Sequence, residues 1–143
     1  IKNRDLFVGR HVYHSFSGYA HGQFKRMTHL AYQGYMGEKR KQLVQKFGYD
    51  TKNAAHLIRL LKMCIEFLKD GELYVFRGEI DAPQLLSIKH GEWTLEQVQR
   101  EAEHLFKLSE KMYTESKLPK RPDREKVSKL CQEIIEMSWT RDW

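Results

Sequence analysis

The chain has 143 residues, of which 25 are Lys or Arg and 19 are Asp or Glu, for a formal net charge of +6 with histidine neutral. That length suits one domain of ordinary size and buries enough surface to fold without metal or disulfide staples. With 41% apolar and 31% charged residues, 3 Pro and 9 Gly, the composition excludes collagen-like, mucin-like and wholly disordered proteins, and no apolar run approaches the ~20 residues of a bilayer-spanning helix.

Residues 1–10, IKNRDLFVGR, read as a lead-in segment. It lacks the extended apolar stretch of a signal peptide, and a start on Ile rather than Met predicts a chain trimmed from, or part of, something longer. From about Val12 the apolar positions Tyr13, Phe16, Ala20, Phe24, Met27 and Ala31 recur at spacings of three and four, which predicts a helix with one apolar stripe. Gly18 and Gly22 weaken that helix, and the pair predicts a close backbone approach by a neighbouring helix or a ligand. Gln33-Gly34-Tyr35-Met36-Gly37 predicts a break or bend, followed by a strongly basic helix from Glu38 to Lys46.

Gly48 suits a helix C-terminal cap, and Asp50 or Thr51 can cap the next helix, from Thr51 to about Lys69. That helix stops at Asp70-Gly71, and Leu73-Tyr74-Val75-Phe76 reads either as an edge strand or as an extended connection. Asp81-Ala82-Pro83 opens a short helix to about Lys89, because proline suits a first turn. Thr94 with Gln97 forms a capping-box pattern that opens a long helix to about Glu115. Lys117–Asp123 is a Pro-containing linker, and a last helix runs from about Asp123 to Met137. The expectation is an all-α fold: a helical bundle of about five to six helices with at most one short β element.

Cys64 and Cys131 both sit in apolar helical patterns and belong to no CxxC pair. That predicts two buried free thiols in a reducing, cytoplasmic compartment. The spacing of His11, His14 and His21 would let them share a face, but HExxH, CxxC and HxH are all absent, so no metal site is expected among these residues. Gly-rich phosphate loops and the GxSxG nucleophile elbow are absent too.

Two polar stripes carry the candidate chemistry. On a wheel of about 100° per residue, Lys52, His56 and Arg59 fall within roughly 60° of one another, opposite Ala54, Leu57, Ile58, Leu61, Cys64, Ile65 and Leu68. They stand within two turns of a helix N-terminus, whose N–H groups and partial positive charge also favour anions. Arginine gives bidentate contacts to phosphate and lysine a point charge, so the three form a candidate phosphate cradle. On the first helix Ser15, Tyr19, Gly22, Gln23 and Arg26 share a second stripe. Tyr19, Gln23 and Arg26 beside Gly22 suit a base or ribose, since aromatic faces stack on bases and Gln bonds their edges. The alternative is a second packing seam. Basic patches at Lys39-Arg40-Lys41 with Lys46, and at Lys117, Lys120, Arg121 and Arg124, fit either a polyanion partner or an ordinary solvated surface.

The blocks VYHSFSGYAHGQFKR (12–26) and FGYDTKNAAHLIRLL (47–61), with Asp70-Gly71-Glu72 and LLSIKHGEW (85–93), go beyond composition. Together they resemble predicted nucleotidyltransferases of the DNA polymerase β superfamily from phages and bacteria, some associated with RNA repair. The resemblance runs to about Leu130. It implies an N-terminal α/β palm with a Gly-Ser turn and an Asp-x-Asp or Asp-x-Glu pair that binds two Mg²⁺ ions. No Gly-Ser dipeptide occurs here, and Asp123-Arg124-Glu125 follows a Pro linker at a helix start and reads as a cap. The resemblance therefore implies a single helical domain over 1–143, matching the C-terminal half of such an enzyme. The catalytic residues, and the carboxylates for Mg²⁺, would lie in a palm of the same or another chain. It further implies that Lys52, His56, Arg59, Tyr19, Gln23 and Arg26 bind a nucleotide during nucleotidyl transfer from an NTP. The competing expectation is a non-catalytic basic module for RNA or DNA. Neither involves a membrane.

Overall fold

A computed structural model of the chain describes residues 4–28 and 38–140. Among them the fold is all-α: a 3₁₀ turn at Arg4–Phe7, then α1 (Val12–Thr28), α2 (Glu38–Phe47), α3 (Thr51–Asp70), α4 (Ala82–Lys89), α5 (Leu95–Glu115) and α6 (Arg124–Trp139). Ala31, the expected break at Gln33–Gly37 and the side chains of Lys39, Arg40 and Lys41 lie outside the described residues.

The helix ends follow from short-range chemistry. Gly48, at φ +84°, closes α2 with its N–H on the Val44 carbonyl at 2.8 Å. Asp50 caps α3 by accepting the Asn53 N–H, and Gly71, at φ +72°, ends it with its N–H on the Phe67 carbonyl. Glycine takes this left-handed conformation without the Cβ clash other residues meet. The Thr94–Gln97 capping box opens α5 with both reciprocal bonds in place. Asp123 caps α6 by accepting from the Glu125 and Lys126 N–H groups.

The core is organised around α3. Its Ala54, Leu57, Ile58, Leu61, Cys64 and Leu68 are all buried. Ala54, Leu57, Ile58 and Leu61 meet Ala20 and Met27 of α1, Ile88 of α4, and Val98, Ala102 and Leu105 of α5. Each such leucine or isoleucine contributes about 1.5–3 kcal/mol on burial. Two polar ties fix the frame: the Tyr49 hydroxyl donates to the Trp93 carbonyl at 2.5 Å, and Ser116 Oγ donates to the Leu68 carbonyl at 2.7 Å.

Three expectations change or narrow, and the burial of Cys64 holds. Gly18 and Gly22 admit no close neighbour: a Cβ at either would meet no described atom within 4 Å. The other face of α1 supplies the packing, so no described helix uses the small-residue seam. Leu73–Phe76 is an extended connection, since no strand among the described residues lies beside it to pair with. Cys64 is buried, and burial pushes its thiol up to about 12. Cys131, expected to be buried, is exposed. The reason is that α6 packs against the 3₁₀ turn and buries none of its side chains. No described helix is long and apolar enough to cross a membrane.

Candidate functional site

A cleft of about 590 Å³ opens where α1 and α4 flank α3. Tyr19, Gln23 and Arg26 of α1 and Lys52, His56 and Arg59 of α3 all line it. Two stripes that the sequence assigns to separate helices thus face one space. The helices bring them together because their apolar faces pack on each other. Asn53 Nδ2 also donates to the Gln23 backbone carbonyl at 3.2 Å in the buried seam between α1 and α3. Ser15 and Gly22, from the same stripe of α1, are exposed and do not line the cleft.

Four further lining residues escape the sequence reading: Ala55, Leu85, Leu86 and Lys89. The last three belong to α4, which α3 positions through a buried ion cluster. Arg77 donates from Nε and Nη2 to the two Asp81 oxygens, each at 2.9 Å, and from Nη1 to the Tyr74 carbonyl at 3.1 Å and to Glu66 of α3. Lys62 of α3 adds an ion pair to Asp81 at 3.3 Å and bonds Gln84. The Arg77 and Asp81 side chains are only 5% and 8% exposed. Asp81 stands at the N-terminus of α4 without capping it, because Arg77 and Lys62 occupy its oxygens. The cluster therefore sets where Leu85, Leu86 and Lys89 stand.

These bonds carry a pH dependence. Burial raises the Asp81 pKa, but the Arg77 hydrogen bonds and charge, helped by Lys62, outweigh it and hold the carboxyl below its ordinary value. The Asp81 hydrogen bonds in turn push the Arg77 guanidinium up. A carboxyl depressed on folding stabilises the fold above its unfolded pKa of about 3.9, and that stability is lost as pH falls through the lower folded value. Urea midpoints measured from pH 5 to pH 2 should therefore fall below about pH 4. Asp81→Asn should flatten that fall, and an unchanged slope in the variant contradicts the assignment.

The electrostatics of the cleft are one-sided. Arg26, Lys52, Arg59 and Lys89 line it, and no carboxylate does. None of the four makes an ion pair among the described residues. Arg59 Nη2 lies 3.0 Å from His56 Nδ1. A guanidinium only donates, so Nδ1 accepts and the His56 ring proton belongs on Nε2. Arg59 Nε is buried without a hydrogen-bond partner. Tyr19 stands edge-on to the His56 ring, with centroids 5.9 Å apart at 89°.

Comparison with family models, with curated proteins and with solved structures finds no match to this chain.

One expected contribution is already occupied. The N-terminus of α3 is capped by Asp50, a buried carboxylate. An acid there takes the place of an anion at the helix end. The Asn53 N–H is thus taken by the cap. The histidines of α1 are placed apart from one another: His14 packs edge-on to Tyr113, and His21 stacks on Phe106 at 4.2 Å. No three His, Cys, Asp or Glu side chains among the described residues come together to hold a metal ion. Lys117, Lys120, Arg121 and Arg124 are all exposed around the α5–α6 connection.

Proposed function

We propose that this chain is the helical nucleotide- and acceptor-binding part of a Mg²⁺-dependent nucleotidyltransferase, and that the cleft holds the phosphates of an NTP. The observation that carries the reading is the lining: four cationic side chains without a carboxylate, one of them with a buried, unpartnered donor. Unpaired buried donors and clustered like charges are both unfavourable in isolation. A polyphosphate neutralises the clustered charge. Arg26 and Arg59 supply forked donors, Lys52 and Lys89 supply point charges, and the cleft lies within the size range of small-ligand sites.

The described residues do not fit a magnesium centre, since the cleft lacks carboxylates. The ions this reading needs would be held by a palm in the same or another chain, of the kind the resemblance to polymerase β-type nucleotidyltransferases implies. The exposed thiol of Cys131 suits a reducing, cytoplasmic setting.

Calorimetric titration with ATP and with inorganic tripolyphosphate tests the reading. Saturable binding of both that weakens with salt is the expected result, and no binding of either overturns it. A second reading is a non-catalytic basic module for RNA or DNA, favoured by the exposed patch of Lys117, Lys120, Arg121 and Arg124. It expects a salt-sensitive gel shift with short RNA that persists when the cleft cations are removed and disappears when the patch is neutralised.

A further inference from the structure

Gln23 is the most enclosed polar side chain of the cleft. It is 6% exposed, it lines the cleft, and its backbone is tied to α3 through the bond from Asn53. Yet its side-chain amide makes no hydrogen bond to any described residue; Gln23 is bonded there through its main-chain carbonyl. Neither amide atom is among the enclosed polar atoms left without a partner, so the polar end of this buried side chain opens on solvent, where water or a ligand meets it. Here the opening beside it is the cleft itself.

An amide presents one acceptor next to one donor group. Phosphate oxygens use only the donor, and the four cations already serve them. A nucleobase edge uses both halves, as when glutamine bonds the adjacent acceptor and donor of adenine. The surroundings suit a flat ring. Tyr19, one turn before Gln23 on α1, is 54% exposed at the cleft, and Leu86 on the α4 wall is 49% exposed. A ring entering between α1 and α4 would lie against tyrosine and leucine, with its polar edge toward the amide.

We propose that Gln23 reads the base of the bound ligand, so that the cleft selects nucleoside polyphosphates over bare polyphosphates. The inference rests on the anion-binding reading of the cleft and assigns its second half. Gln23 is the specificity determinant, and the cations supply the affinity common to every polyphosphate. A site that hydrogen-bonds its ligand discriminates strongly against ligands without the matching group, because its own polar group is then left unpaired.

The test titrates the whole chain with ATP and with tripolyphosphate, as wild type and as Gln23→Met. Methionine keeps the length and helix propensity of glutamine without its hydrogen bonds. Wild type should bind ATP at least about tenfold more tightly than tripolyphosphate. Gln23→Met should lose that advantage, bind tripolyphosphate as before, and melt close to wild type, because the amide bonds no described residue. Equal binding of the two ligands by wild type overturns the proposal while leaving the anion site standing. So does equal weakening of both ligands in the variant. A lowered melting temperature in Gln23→Met overturns it as well, since the amide would then be holding the fold. Failure of wild type to bind either ligand overturns the anion reading and this inference together.

Discussion

Arg59→Ala should weaken triphosphate binding by about thirtyfold, or ~2 kcal/mol, as expected for the loss of a charged, forked hydrogen bond. The size of the effect follows from where Arg59 stands. Its Nη2 is engaged with His56 Nδ1 and its Nε is buried without a partner, so the guanidinium is held in place before any ligand arrives. A pre-oriented fork loses little side-chain freedom on binding. Arg59→Lys should recover only a small part of the loss, because an ammonium cannot reproduce the planar fork. Lys52→Ala, at an exposed position on the same face, should weaken binding about fivefold, ~1 kcal/mol, and that loss should shrink in high salt. Calorimetry at two ionic strengths separates the two. Wild-type affinity in Arg59→Ala would remove the residue from the site.

Arg77→Ala should destabilise the fold by about 3–5 kcal/mol, the usual consequence of leaving a buried charge without its partner. The uncompensated group is Asp81, whose side chain is 8% exposed and which retains only Lys62. Against a total stability of about 5–15 kcal/mol this is the most damaging single change expected outside the apolar core. Replacing both partners, Arg77→Met with Asp81→Leu, should be milder, because the charges then left without them, Glu66 and Lys62, are partly exposed rather than buried. Urea unfolding of the wild type and the two variants distinguishes a buried ion cluster from a surface pair, for which losses of only about 0–1 kcal/mol are expected. Because the same cluster sets the position of α4, Arg77→Ala should also weaken ligand binding, through displacement of Lys89 rather than loss of a contact.

The helices and their caps are legible in the sequence because their signals are local. Asp50, Thr94 with Gln97, and Asp123 each act within three residues, and the apolar stripe of α3 follows from a helical period. The same wheel brings Lys52, His56 and Arg59 to one face, and the stripe on α1 brings Tyr19, Gln23 and Arg26 together. Periodicity places residues on a face but does not say what stands opposite it. Lys89 and Leu86 enter the cleft from a later helix, an arrangement set by the Arg77 cluster. That cluster has little signal: Arg77 and Asp81 are four residues apart, but Arg77 is one cation among 25 and its other partner Glu66 lies on another element. The same gap explains Cys131. The sequence of α6 has the pattern of a buried helix, but a pattern needs a partner surface, and what packs on α6 among the described residues is chiefly the 3₁₀ turn. The N-terminus of α3 shows the converse: Asp50 has the signature of a cap, and its negative charge stands where an anion at the helix end would.

The absence of burial along α6 has a kinetic side. A helix of 16 residues standing alone in water is marginal, so its amides open at little free energy, whereas those of α3 open only when the whole core does. Hydrogen exchange should therefore show two tiers of protection, with the α3 wall of the cleft in the slow one. Melting or re-forming the last helix should leave the cleft intact, and a partner settling on the exposed Ile134 and Met137 should slow its exchange.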